Sequence, residues 1–262
     1  MFEAKFVQGT VLKKIVESLK DLFHEVNFEC SRSGITLQDM DSSHVALCNL
    51  KLKSDEDGFA DYRCDRNITL GVNMSLMSKV LKCAGSDDVI TLTADDEPNV
   101  LNFVFESKNG DRICKYEISL MGIDNELLGI PEKEYSCVIK MPSHELQRIC
   151  SNLSQFGDSV SIDCHKEGVE FKMVSTGSGG SGAIKLKQNT SVDKEEDQVS
   201  VDWREPVNQS FALKFLCSFC KASSLSDTVT LSLTQDAPVV LEYPIAQHGY
   251  LRYYLAPKIE EA

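Results

Sequence analysis

No apolar run in this 262-residue chain is long enough to cross a membrane, and no signal peptide opens it, so neither a membrane-spanning nor a secreted protein is expected. Basic residues are scarce. Lys and Arg number 27 against 40 Asp and Glu, a net charge of −13. That excludes a body coated with nucleic acid over its outer surface; any such contact must use a local patch. The five histidines, at 24, 44, 144, 165 and 248, lack the paired spacing that a metal needs. Cys217-Ser218-Phe219-Cys220 has redox-motif spacing, but no second such pair completes a zinc site, and Cys220 falls on the apolar side of a helix. Without a secretory context the ten cysteines, among them Cys30, Cys83, Cys150 and Cys164, are read as reduced core residues. The Gly- and Ser-rich stretch 175–182 lacks the Gly-Lys-Ser/Thr ending of a phosphate loop. Asp39 and Asp41 flank Met40 without a Gly-rich loop or a basic partner. No nucleophile elbow or kinase signature is present. The expectation is a non-enzymatic protein without metal or cofactor.

What the chain does contain is a unit repeated four times: a short amphipathic helix, then alternating strands. The strand after each helix is entered at Val26, Ile90, Val160 and Val229, in steps of 64, 70 and 69 residues. A repeat at that scale means one supersecondary module builds the fold. The apolar helix positions are Val11, Leu12, Ile15, Val16, Leu19 and Leu22; Leu76, Met77, Val80, Leu81 and Ala84; Leu146, Ile149, Cys150, Leu153 and Phe156; and Ala212, Phe215, Leu216, Phe219 and Cys220. Steps of three and four place each set on one stripe, with Ser143 and Ser210 as candidate caps. Period-two runs such as Val26, Phe28, Cys30 with Asn27 and Glu29 between them read as half-buried strands. The turn signals Ser33-Gly34, Glu97-Pro98-Asn99, Glu167-Gly168 and Asp236-Ala237-Pro238 join paired strands. The class is α+β, antiparallel sheets with helices on one side.

The opposite helix stripes carry Lys13, Lys14, Lys20, Lys79, Lys82, Arg148, Lys214 and Lys221 against only Glu17, Asp21 and Glu145. One such stripe is ordinarily a solvated face. Four of them in a symmetric fold add into one basic patch on an acidic body. The organisation expected is a domain over 1–119, a connector over 120–135 and a second domain over 136–262. The connector contains Leu127, Leu128 and Ile130, too apolar for an inert linker; these either fill a groove or pin the connector to a domain.

Seven stretches, spread from end to end, then point to a family: Met1-Phe2-Glu3-Ala4, Leu37 to Val45, Tyr62 to Asn67, Leu81 to Gly85, Leu128 to Glu132, Glu134 to Val138 and Tyr253 to Glu261. With them the chain resembles the eukaryotic sliding clamps of the proliferating cell nuclear antigen family. The resemblance implies a head-to-tail homotrimeric ring of two-domain subunits, sheets outside and helices lining a hole. It implies a nuclear processivity factor for DNA polymerase in replication, repair and translesion synthesis. Double-stranded DNA would lie against the eight bases above, without sequence preference; Ser151 replaces one base of the family. Polymerase, clamp loader, ligase and nuclease clients would insert Gln-x-x-aliphatic-x-x-aromatic-aromatic peptides beside Met40, His44, Val45, Leu47, Leu128, Ile130, Pro238, Tyr254, Ala256 and Pro257. Lys166 matches a lysine that accepts ubiquitin or its relatives. Subunits would join through edge segments near Asp111–Ser119 and Thr176–Lys185, where Gly177, Gly179, Gly180 and Gly182 are expected to weaken the strand. A scaffold of the same fold that binds proteins but not DNA is the alternative.

Overall fold

The computed structural model describes residues 1–6, 8–54, 59–124, 128–130, 133–174, 180–189, 194–246 and 248–259. Leu127, Gly177 and Gly179 of the reading above lie outside them. The chain divides into two compact units. Unit 1 comprises Met1–Ser42, Cys48–Leu128 and Ile245–Leu251; unit 2 comprises Ser43–Leu47, Gly129–Pro244 and Arg252–Ala262.

The first half of the chain forms β1 (Phe2–Phe6), α1 (Gly9–Leu19), β2 (Glu25–Ser31), β3 (Gly34–Met40), β4 (Ala46–Lys53), β5 (Phe59–Cys64), β6 (Ile68–Asn73), α2 (Met74–Leu81), β7 (Val89–Ala94), β8 (Val100–Glu106) and β9 (Ile113–Ser119). The second half forms β10 (Cys137–Pro142), α3 (Ser143–Leu153), β11 (Ser159–His165), β12 (Gly168–Met173), β13 (Ala183–Lys187), β14 (Ser200–Trp203), β15 (Val207–Ala212), α4 (Leu213–Phe219), β16 (Thr228–Leu233), β17 (Val239–Ile245) and β18 (Gly249–Leu255). Strand orders expose the repeat. The order β5-β1-β7-β8-β9 is matched by β14-β10-β16-β17-β18, and β6-β2-β3-β4 by β15-β11-β12-β13. Every strand in the second set is its counterpart plus nine, which is the duplicated module expected from the helix spacing. Ladders run antiparallel, as in Phe2 opposite Ala94 and Val160 opposite Met173.

The apolar stripes drive the helices onto the sheets. Leu12, Ile15, Val16 and Leu19 of α1 are buried, as are Leu146, Ile149, Cys150 and Leu153 of α3 and Phe215, Leu216 and Phe219 of α4. Phe219 stacks on Tyr253 with centroids 4.4 Å apart. Removing such side chains from water supplies most of the folding free energy.

Several expectations are corrected at the helix ends. α3 stops at Leu153, so Phe156 lies beyond it and is 71% exposed. α1 stops at Leu19, so Leu22 is outside it. Leu76 is 42% exposed, because the first turn of α2 turns it away from the core. Cys220 sits in a 3-10 turn after α4. Pro142, not Ser143, caps α3; Ser143 is its first residue and donates to Ser226 O. Ser210 lies within β15, and its carbonyl accepts from Lys258 N at 2.7 Å. Asn73 is the cap that sequence reading missed, accepting from Leu76 N at 2.9 Å. Cys164 is not a free thiol: β11 brings it against Cys137 of β10, both fully buried, and the two form a disulfide. Cys83 is exposed rather than core.

The segment after β9 is anchored by backbone rather than by apolar burial. Met121 N donates to Gly71 O at 3.0 Å, and the buried Asn27 side chain donates to Ile123 O at 2.8 Å. Gln38 then exchanges two bonds with the Leu128 backbone, at 2.8 and 3.0 Å, while the Leu128 side chain stays exposed. Asn27, read as an outward residue, is thus inward for a reason: it is a tether. A Cβ on Gly71 would lie 2.0 Å from Met121 O. Gly71→Ala therefore has to push 120–124 off β6. The expected loss is about 1–3 kcal/mol in denaturant midpoint analysis, with faster amide exchange at Met121; unchanged exchange there contradicts this account.

Candidate nucleic-acid interface and apolar groove

The eight stripe bases fall on helices of both units. In unit 1, Lys14, Lys79 and Lys82 are exposed and make no ion pair among the described residues. Lys20 pairs with Glu17 at 2.6 Å, and the other Glu17 oxygen accepts from Ser78 Oγ at 2.7 Å. Lys13 turns sideways, its ammonium donating to Ala84 O and Gly85 O. In unit 2, Arg148 is exposed and pairs with Glu145 at 2.7 Å. Lys214 lies over the Phe215 ring, 4.5 Å from its centroid, and Lys221 is exposed on the turn after α4. Each unit thus turns basic side chains away from its core; Lys20 and Arg148 pair with the acids counted on their own stripes, while Lys13 meets carbonyls that a count of charges does not reveal.

Burial raises the Glu17 pKa, but the bonds from Lys20 and Ser78 outweigh it and the net shift is downward. A carboxylate with a depressed folded pKa stabilises above its unfolded value, and the contribution disappears as pH falls through the folded one. The α1–α2 contact is accordingly expected to loosen on acidification below the ordinary glutamate range. Glu17→Gln should flatten that part of the stability–pH curve; an unchanged curve removes Glu17 from the account.

A groove of about 770 Å³ opens in unit 2, lined by Asn208, Gln209, Ser210, Gln235, Asp236, Ala256, Pro257, Lys258 and Ile259. Ala256 and Pro257 of the expected client set are in its wall. Ala256 N also donates to Val45 O at 3.0 Å, which brings the Val45 segment to the same strand end. His44 is exposed with a left-handed φ of 57°, and Asp236, with φ 58°, turns the chain ahead of the exposed Pro238. Leu47, Ile130 and Tyr254 of unit 2 are half-buried; Met40 of unit 1 is half-buried and Leu128 exposed. The polar wall, Asn208, Ser210, Gln235 and Asp236, was missed in the sequence. Its one signal was the Asp236-Ala237-Pro238 turn.

Lys166 occupies the exposed β11–β12 turn. Gly168 completes that turn with φ 155°, where a Cβ would meet Leu186 O at 2.0 Å. Asp163, His165 and Glu170 converge behind it, a grouping that histidine spacing did not suggest. A cation already sits there: Lys172 Nζ is 3.0 Å from Asp163 and 3.4 Å from Glu170.

Two family models match the chain in tandem. The N-terminal domain model of proliferating cell nuclear antigen covers residues 1–127, and the C-terminal domain model covers residues 129–258. The chain belongs to the proliferating cell nuclear antigen family. That family consists of DNA sliding clamps, non-enzymatic scaffolds that in general form trimers and bind DNA and polymerase and repair clients. The two units of mixed α+β structure with antiparallel sheets fit the clamp fold.

Proposed function

We propose that this chain closes into a head-to-tail homotrimeric ring around duplex DNA and tethers replication and repair enzymes to it in the nucleus. The observation that carries the reading is the charge distribution: exposed Lys14, Lys79, Lys82, Arg148, Lys214 and Lys221 on helix faces of a chain whose net charge is −13. Contacts between such side chains and phosphates are independent of sequence and weaken steeply with salt. They hold no fixed register, so a ring can slide, and topology rather than affinity retains it.

Ring closure uses open strand edges. In the β8–β9 ladder the bonded pairs are set by Leu120 N to Asn99 O and Ser107 N to Arg112 O. By alternation Ile113, Lys115, Glu117 and Ser119 turn their backbone N–H and C=O outward. In the β12–β13 ladder, Met173 N to Gly182 O and Gln188 N to Glu167 O leave Ala183, Lys185 and Lys187 facing outward. Two edges of this kind adhere by strand addition, and a heterologous contact of fitting rotation closes a ring. Gly180 and Gly182 precede β13 rather than interrupt it.

Clients dock an apolar-aromatic peptide: in unit 2 the residues that take it are His44, Val45, Leu47, Ile130, Pro238, Tyr254 and the groove residues Ala256 and Pro257, and in unit 1 they are Met40 and Leu128. Lys166 on its exposed turn is the acceptor for a ubiquitin-like modifier. The domains act as 1–119 and 136–262 with a connector over 120–135. Primer extension on a singly primed circle, with loader, ATP and polymerase, tests the function. Product length should rise sharply when this chain is added; no change in length with a folded trimer contradicts it. The protein-only scaffold lacks a comparable observation in its favour.

A further inference from the structure

Lys13 bonds to the backbone past the end of α2. By position it belongs to the basic stripe, yet its ammonium donates to Ala84 O and, at 3.2 Å, to Gly85 O. These carbonyls lie where α2 unwinds: Lys82 N still bonds Ser78 O, but Cys83 N and Ala84 N step back to Val80 O and Leu81 O in shorter turns. The exit of a helix presents unsatisfied, partially negative carbonyls, and a cation there is stabilising. The same loop is gripped from the far side. Gly85 N donates to Asp88 Oδ2 at 2.7 Å, and Arg112 Nη2 meets both Asp88 oxygens at 3.0 and 2.9 Å. Asp88 is buried, while Arg112 reaches it from an exposed position. The Ser78–Glu17 bond ties the middle of α2 to α1 as well. α2, the short helix that carries Lys79 and ends at the cap residue Lys82, is thus fastened at its middle and at its exit.

We propose that Lys13 is a positioning residue that clamps the exit of α2, so that Lys79 and Lys82 are presented to DNA, and is not itself a phosphate contact. This rests on the DNA-binding reading above. An ammonium that must move to a phosphate gives up two charge-assisted hydrogen bonds within the protein, whereas Lys14 gives up none that the described residues record.

Competitive amine acylation read by mass spectrometry tests it on the intact wild-type protein, free and with excess duplex. Lys13 should react about tenfold more slowly than Lys14 in the free protein, as expected for a charge-assisted pair of bonds. Duplex should shield Lys14, Lys79 and Lys82 and leave Lys13 unchanged. In Lys13→Met the shielding of Lys79 and Lys82 should fall several-fold, and Lys13→Arg should restore it. A merely structural role would lower thermal stability without altering that shielding. Lys13 reacting like Lys14 and becoming shielded by duplex overturns the proposal, as does undiminished shielding of Lys79 and Lys82 in the methionine variant. Duplex that shields none of the four lysines overturns the DNA reading instead, a result distinguished by slow acylation of Lys13.

Discussion

Lys185→Pro yields a folded monomer. The register of β12 and β13 places Lys185 opposite Glu170 in a non-bonded pair, so its N–H points to the open edge. Proline there costs β12 no hydrogen bond, yet removes an outward donor and obstructs an incoming strand. The loss is about 3 kcal/mol per subunit contact, roughly a hundredfold in its dissociation constant. A ring with three such contacts does not survive that at cellular concentrations. Sedimentation velocity should show a monomer of unchanged melting temperature, and the variant should no longer be retained on DNA. Val169→Pro is the internal control. Its N–H faces Leu186 within the ladder, so the same substitution there should unfold the sheet. A trimeric Lys185→Pro protein would mean that β13 is not the joining edge.

Tyr254→Ala should weaken client capture about thirtyfold while leaving the oligomer unchanged. Tyr254 lies between the buried Tyr253 and Leu255 on β18, so alternation turns it to the opposite side, half-buried beside the exit to Ala256 and Pro257. An aromatic next to Ala256 and Pro257, which line the groove, is the type of residue that dominates binding energy, typically about 2 kcal/mol or more on truncation, or roughly thirtyfold in affinity. Titration of a labelled Gln-x-x-aliphatic-x-x-aromatic-aromatic peptide should show that loss with no change in trimer mass. Equal affinity in the variant would move the docking site elsewhere.

Much of this architecture was legible because periodicity reports burial. Leu12, Ile15, Val16 and Leu19 announce α1, and Val160, Ile162 and Cys164 announce β11, since the side that repeats is the side that packs. The errors arise where tertiary neighbours decide. Phe156 continues the α3 period one turn too far, because nothing local ends the pattern where the helix stops. The Cys137–Cys164 bond joins residues 27 apart that only the fold brings together. Asn27 reads as a polar strand position, yet it is drawn inward by a carbonyl 96 residues away. The basic stripe was visible as charge, but its partners differ: Lys14 is exposed, Lys20 meets an acid of its own helix, and Lys13 meets carbonyls about 70 residues away that only the fold brings near. The polar wall of the groove, including Asn208 and Ser210, sits on a strand far in sequence from Ala256 and Pro257.

A ring that surrounds DNA is held by topology rather than by affinity. The most direct measurement of encirclement is the lifetime on a nicked circular plasmid after loading, at rising salt, before and after a restriction enzyme opens the circle. Salt that erases lysine–phosphate attraction should leave the circle-bound population nearly untouched, and a single double-strand cut should release it at once by sliding off the ends. Loss from the intact circle in proportion to salt, with no acceleration on cutting, would show a surface-bound protein and contradict the ring.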